Sequence, residues 1–265
     1  MNEQTKYDLM KRREILKSYS VSDAGWEESD ESQAIEQPDL FLEKADKRFI
    51  LPPYEETPLC NFSFTELLKK RQSTRLYEDR DMTLAQLSYL LWATQGVQKV
   101  VGRKKKAGFR TVPSAGCRHA IETYLVINHV SGLQPGLYHY LPMTHELELL
   151  NGECDKKLVL EAVEGQKFAA EAPVLFLWTA VPYRMEWRYV QKAVKYVLLD
   201  AGHLCENLYL TCEMLGCGAC AIGAYNQEAA DELLMLSPRP SGEKNYECTV
   251  YAAAVGIKKA PSEQI

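Results

Sequence analysis

Two guanidinium groups and two aliphatic hydroxyls fall within five residues at Arg71-Gln72-Ser73-Thr74-Arg75, with Tyr77 two positions further on. Planar arginine forks match the oxygens of a phosphate, and a neighbouring hydroxyl adds another donor. The stretch reads either as an anion anchor or as a solvated basic helix end, with Arg75 pairing with Glu78 or Asp79. Cys217-x-x-Cys220 has the spacing of a zinc half-site or a redox dithiol. A structural zinc site needs a second ligand pair, and the chain has no other C-x-x-C and no H-x-x-x-H. A redox dithiol opens a helix whose N-terminus lowers the thiol pKa, whereas this pair enters a strand pattern. An iron–sulfur site from Cys205, Cys212, Cys217 and Cys220 matches no familiar spacing. These cysteines read as small packing residues, and no metal is expected. Asp200 and His203 lie about one helical turn apart, as an acid–base pair or as groups bonded within the fold. His139 and His145 read as surface or half-buried residues.

No Gly-x-Gly-x-x-Gly fingerprint, P-loop or Gly-x-Ser-x-Gly elbow is present, so the common nucleotide and hydrolase signatures are excluded. With 265 residues, 46% of them hydrophobic and 25% charged, the chain has the composition of a globular protein able to bury a large core. A net charge of −5 argues against nucleic acid as partner. The best apolar run, Ala172 to Tyr183, is too short for a membrane span and holds two prolines. Eight cysteines behind a polar N-terminus without a signal-peptide core indicate reduced thiols and a cytoplasmic protein.

The elements that must position the anchor follow from periodicity. Residues 1–57 read as an extension: a basic helix (Tyr7 to Tyr19), an acidic segment (Asp23 to Glu31) and an irregular arm whose Trp26, Phe41, Phe49 and Ile50 dock on the core or on a partner subunit. Residues 58–265 form the main domain. A helix from Phe62 to Lys70 leads into the anchor. Thr83-Leu84-Ala85-Gln86 is a capping box, opening a helix with Leu84, Leu87, Leu90 and Leu91 on one face and Gly96 at its end. The basic run Arg103 to Lys106 is a solvated loop, or a patch for an anionic ligand. Small residues in Arg110 to His119, ahead of a strand at Thr123 to Ile127, let a flat ligand approach the backbone. A hairpin spans Gly136 to Leu150, a short helix Lys156 to Val163, and a buried strand Pro173 to Thr179. Val190 to Leu215 is the longest helix. Val194, Val197, Leu198, Ala201, Leu204 and Leu208 on one face, with Leu199, Tyr209 and Leu210 on the other, predict burial nearly all round, at a domain centre or a subunit interface where Gly202 permits close packing. A small-residue strand (Gly216 to Tyr225), a helix (Asn226 to Leu236) and a last strand (Glu247 to Val255) complete an α+β sandwich.

Five motifs occur in order: Arg71-x-Ser-x-Arg75-x-Tyr77, Arg110-Thr-Val-Pro-Ser-Ala-Gly116, Leu198-Leu-Asp-Ala-Gly-His203, Leu215-Gly-Cys-Gly-Ala-Cys-Ala-Ile-Gly223 and Ala254-Val-Gly256. Together, over residues 58–259, they resemble the nitroreductase-like FMN flavoproteins, in particular the SagB-type or thiazole/oxazole-forming dehydrogenase branch. The resemblance implies an α+β fold with a mostly antiparallel sheet flanked by helices, a homodimer, and FMN at its interface. It implies that Arg71, Gln72, Ser73 and Arg75 hold the phosphate and ribityl end, with Lys258 or Lys259 closing that site. Pro113, Ser114 and Ala115 would come from the partner subunit and cover the ring, and the backbone of Gly223 and Ala224 would lie near its N5 position. In the azole-forming branch a Lys-Tyr pair transfers protons, a pattern that Lys195-Tyr196 resembles; a lysine buried beside a flavin loses basicity and can act as a base. Adjacent helix positions point about 100° apart, so one of the two can face the site while the other packs in the core. The expected activity is hydride transfer through FMN from NAD(P)H to a small organic acceptor. The alternatives are azoline-to-azole dehydrogenation of a peptide and flavin binding without turnover.

Overall fold

A computed structural model describes residues 3–17, 26–102, 107–236 and 242–259. Seven strands form one sheet in the order β1-β6-β5-β4-β7-β9-β8, with every neighbouring pair antiparallel. They are β1 (Arg48–Ile50), β4 (Ile121–Ile127), β5 (Gly136–Leu141), β6 (Glu146–Asn151), β7 (Val174–Ala180), β8 (Cys217–Ile222) and β9 (Cys248–Ile257). β2 (Val97–Val101) and β3 (Ala107–Arg110) form a separate ribbon. The helices are α1 (Glu3–Arg13), α2 (Phe64–Lys70), α3 (Leu84–Gln95), α4 (Lys156–Ala162), α5 (Lys167–Ala170), α6 (Tyr183–Tyr189), α7 (Ala193–Met214) and α8 (Gln227–Leu233). Among the described residues, no helix is long and apolar enough to cross a membrane.

Every residue of β4 and β7 is buried, as continuous β-branched and aromatic runs require when both sheet faces are covered. One core lies on the α3 and α7 side, with Leu87, Leu90, Phe176, Trp178, Leu204 and Leu208. The other lies on the α4 and α8 side, with Tyr124, Leu175, Leu177, Val159, Ala230 and Leu233. Capping boxes open α2 at Ser63 and α3 at Thr83, each with side chain and backbone bonded reciprocally.

Several boundaries and one burial pattern depart from expectation. α1 ends at Arg13, and the proposed continuation to Tyr19 reaches beyond the described residues, as does the basic run 103–106. The long helix begins at Ala193 because Val190 has φ 47°, a left-handed value costly for a β-branched residue, and a separate helix α6 precedes it. Within this single chain α7 is not buried all round, which leaves a subunit interface as the place where its remaining face is covered: Val194, Leu198 and Leu199 are each about half exposed, and Gly202 faces open space. These four residues recur at helical spacing, so they form one uncovered stripe.

His139, expected at or near the surface, is completely buried. Its place on the interior strand β5 explains this, since register sets it opposite Tyr124 of β4 and Glu148 of β6. Its Nδ1 lies 2.7 Å from Glu148 and its Nε2 3.0 Å from Glu122. Arg184 of α6 pairs with Glu122 on the far side. The cluster also holds the arm, because Glu148 accepts from the backbone N–H groups of Lys44 and Ala45, and Arg184 Nε donates to the carbonyl of Asp39. The arm is further stitched to α6 by Trp187 Nε1 donating to Ile35 O and by the N–H of Glu31 donating to Trp187 O.

The imidazole between two carboxylates carries a pH signature. Burial works against its charge, yet a carboxylate on each ring nitrogen raises its pKa above the ordinary 6.5. The native state therefore keeps a proton that the unfolded chain releases. Its stabilising contribution is full below about pH 6.5 and is lost as pH rises through the folded-state value. Tyr124, its ring tilted 33° at 4.7 Å, and the nearby Arg184 and Arg110 complete its surroundings. Unfolding free energy measured from pH 5 to 8 should fall less steeply above pH 6.5 in His139→Gln than in the parent protein. Parallel curves for the two would contradict a protonated His139.

Candidate functional site

The segment 71–77 lies across the free edge of the sheet. Arg71 is the C-cap of α2, its N–H donating to Leu67 O. Ser73 bridges Ala219, and the Thr74 N–H donates to Ala219 O at 2.8 Å. Tyr77 bridges Lys258 at the end of β9. What makes this path possible is a pair of glycines, Gly218 and Gly256, facing each other in register on β8 and β9. A Cβ on Gly218 would stand 2.6 Å from Thr74, and one on Gly256 2.7 Å from Tyr77. The glycine trough is filled by those two side chains, and Tyr77 Oη locks the crossing by donating to the carbonyls of Thr74 and Ala254. Thr74 is thereby buried, Arg71 half-buried, and Gln72, Ser73 and Arg75 exposed.

The two forks straddle the edge. Arg71 lies over the ring of Tyr209 at 5.4 Å, on the α7 side, and Arg75 over Phe168 of α5 at 5.7 Å, on the other. Tyr209 went unnoticed in the sequence beyond its apolar ring. Its Oη accepts from the backbone N–H of Ala221 at 2.7 Å and is hydrogen-bonded to Ser73 Oγ at 3.0 Å. A tyrosine on the helix preceding a small-residue strand was the only available signal. Lys258 does not stand open to an anion: its Nζ contacts both carboxylate oxygens of the buried Glu213, at 3.0 and 3.1 Å. Lys259 is half-buried beside it.

At the other end of β8, Gly223 and Ala224 are exposed, and a Cβ on Gly223 would meet nothing within 4 Å. The strand end is thus open to close approach by a flat group. Gln166 Nε2 holds the carbonyl of Ala224 at 2.9 Å. The Pro113-Ser114-Ala115 stretch enters a short 3-10 turn in which Gly116, Cys117 and His119 have φ of 56°, 55° and 44°. Asp200, on α7, steadies this loop by accepting from the Ala115 N–H at 3.4 Å. The carboxyl of Asp200 is pushed up by burial, against the donors Ser114 and Ala115, and its partner is the loop and not His203, which is exposed. Ser114 Oγ accepts from His119 N–H, and the buried His119 ring bonds Gly108 O. Burial, reinforced by Arg110, lowers the His119 pKa to about 3, so that imidazole is neutral.

Lys195 and Tyr196 lie in the first turn of α7. Lys195 Nζ donates to the carbonyl of Leu16 at 2.9 Å, and the Tyr196 ring packs edge-to-face on Tyr189 at 4.8 Å. Tyr189 Oη in turn stands against Gly116, where a Cβ would come within 2.6 Å. The pair is therefore linked to the 113–119 loop through one ring. Fourteen residues of α7 separate Lys195 from Tyr209, about 21 Å at 1.5 Å per residue. Cys217 and Cys220 are buried in β8, as the packing reading requires. Burial raises both thiols, Cys217 to about 12, so neither is a thiolate at neutral pH. Among the described residues, no group of His, Cys, Asp and Glu is arranged to hold a metal ion.

The nitroreductase family model matches residues 68–256. A protein of Methanocaldococcus jannaschii named as a nitroreductase is 34% identical over 191 residues, which is 72% of this chain and 90% of that protein. A crystal structure described as a nitroreductase of Ralstonia eutropha superposes with a TM-score of 0.64 at 27% identity, covering 83% of this chain and 93% of that one. The trifolitoxin-processing protein of Rhizobium leguminosarum bv. trifolii is 27% identical over 134 residues, 49% of this chain and 36% of that protein.

Proposed function

This chain belongs to the nitroreductase family of oxidoreductases, and from that premise we propose that it binds FMN and transfers hydride from NAD(P)H to a small organic acceptor. The observation that carries the cofactor assignment is the exposure of Gln72, Ser73 and Arg75, with Arg71 half-buried beside them, on a segment whose Thr74 and Tyr77 side chains fill the glycine trough. Four donor side chains are presented from a backbone fixed at both ends. Such an arrangement suits a phosphate dianion, which accepts charge-assisted hydrogen bonds. The open backbone at Gly223 suits the flat end of the same ligand. When bound, FMN supplies the hydride acceptor and donor.

In this proposal the chain's own residues divide the work. Arg71, Ser73 and Arg75 hold the phosphate, with Gln72 beside them, and Gly223 and Ala224 border the ring through their backbone. The Glu213 contact to Lys258 favours a bracing role for that lysine at the end of β9. Pro113, Ser114 and Ala115 exclude water from the ring of the partner subunit in a homodimer. The uncovered stripe Val194, Leu198, Leu199 and Gly202 supports that homodimer, since an apolar helix face of this kind is ordinarily covered. Uptake of FMN by the purified apoprotein, followed by its visible absorption and by the mass of the complex, tests this reading. A colourless protein that ignores added FMN would sink it.

A second reading, azoline dehydrogenation on a peptide, is favoured by one contact and one relative. Lys195 already holds a main-chain carbonyl, that of Leu16, and a relative is named for trifolitoxin processing. Here Lys195 moves the proton and Tyr196 orients it. Oxidation of a thiazoline peptide that is lost in Lys195→Ala, with neither nicotinamide acting as reductant, would select this reading over the first.

A further inference from the structure

Tyr209 has a position that neither packing nor the phosphate anchor alone explains. It leaves α7 toward the sheet edge and meets three partners at once: the N–H of Ala221, the hydroxyl of Ser73 and the guanidinium of Arg71. A phenol has a single proton to give. Its oxygen accepts from Ala221 N–H, so the arrangement that satisfies all groups has Tyr209 donating to Ser73 Oγ. That leaves the Ser73 proton directed outward, toward solvent and any anion there. The ring face, meanwhile, holds Arg71 by cation–π contact.

We propose that Tyr209 is the positioning residue of the anchor: it fixes Ser73 as an outward donor, places Arg71 beside it, and thereby sets selectivity for a phosphorylated flavin over its dephosphorylated form. This rests on the assignment of 71–75 as the phosphate anchor. Three features of the fold support it. Ser73 is exposed and is joined to Ala219 only through the backbone bridge, so its rotamer is otherwise unrestrained. Ala221 lies on the edge strand β8, and its outward N–H would lack a partner in the fold without the phenol. A chain of hydrogen bonds running N–H to phenol to serine to anion polarises in one direction, strengthening its last member.

The test is the ratio of affinities for FMN and riboflavin, measured by fluorescence quenching on apoprotein. In the parent protein FMN should bind more tightly than riboflavin. Tyr209→Phe keeps the ring under Arg71 but removes both oxygen contacts, and should reduce FMN affinity by about tenfold or more, the scale of a hydrogen bond to a charged group. Riboflavin affinity should stay within about twofold, within the ordinary context-dependence of a hydrogen bond the ligand does not use. Ser73→Ala, which leaves the Tyr209–Ala221 bond in place, should reproduce the loss, and the double variant should lose little more than either single one. Amide exchange at Ala221 in the apoprotein gives a readout without flavin: it should quicken in Tyr209→Phe and not in Ser73→Ala. Equal weakening of FMN and riboflavin, an unchanged ratio, or additive losses would overturn the proposal. A parent protein with no preference for FMN would instead overturn the anchor assignment, and this inference with it. If Tyr209→Phe does not fold, an unchanged FMN preference in Ser73→Ala refutes the proposal by itself.

Discussion

Replacing Arg184 by methionine is expected to cost about 3–5 kcal/mol of stability, because it leaves a buried carboxylate without its counter-charge. Arg184 is 1% exposed and pairs with Glu122 of β4, itself almost wholly buried. Burial alone would raise the Glu122 pKa, but Arg184, His139 and Arg110 together hold it at about 2. The same guanidinium also donates to the carbonyls of Asp39 and His119, so its loss frees the arm and the 113–119 loop together. Urea unfolding of the apoprotein measures the effect. The double variant Arg184→Met with Glu122→Gln should recover part of the loss, since the orphaned charge is then removed. A single variant losing under about 1 kcal/mol would mean that the cluster is not the brace described here.

Arg71→Ala is expected to weaken FMN binding by about 1.5–3 kcal/mol, the range for hydrogen bonds to a charged group. Stability should change little, since Arg71 is half-buried and its backbone N–H, the part that ends α2, is kept. Because Arg75 lies over Phe168 on the opposite side of the edge, it cannot simply take over the lost fork. The dissociation constant at fixed ionic strength is the measurement, with salt held constant because screening alone shifts such contacts. Flavin held as tightly as in the parent protein would remove 71–75 from the site.

How far the sequence reaches can be seen residue by residue. The capping box at Thr83, the β5–β6 hairpin and the strands β4 and β7 follow from local pattern, because cap chemistry and burial on both faces leave direct marks, whereas the box at Ser63 was not read. The run of small residues from Gly216 marked a strand, but not which side chains fill the space beside Gly218 and Gly256: Thr74 and Tyr77 come from about 140 residues or more upstream of their strands. Long-range pairing is where pattern fails. His139 read as a surface or half-buried histidine because its alternation within β5 says nothing about Glu122 and Glu148 on either side. Tyr209 looked like one more apolar residue of a helix, since the partners of its hydroxyl lie on other elements. The stripe of α7 that this chain leaves uncovered was read as buried, at a domain centre or a subunit interface, because periodicity reports apolar faces and not what covers them. α6 was missed because seven residues after a proline, with charges at every second position, lack a helical signature long enough to register.

The candidate site is divided along α7. Its first turn carries Lys195 and Tyr196, its middle holds the 113–115 loop through Asp200, and its last third holds the anchor through Tyr209. A residue at one end of this helix acts on a different part of any extended ligand from a residue at the other. The anchor therefore has no part in proton or hydride transfer in this account, and substrate choice belongs to the Lys195 end.

The most direct measurement is an anaerobic titration of the FMN-loaded protein with NADH and, separately, NADPH, followed by the visible absorption of the flavin. The account predicts bleaching by one or both at stoichiometric amounts, with colour restored by air or by an organic acceptor. A yellow protein that neither nicotinamide bleaches would contradict it.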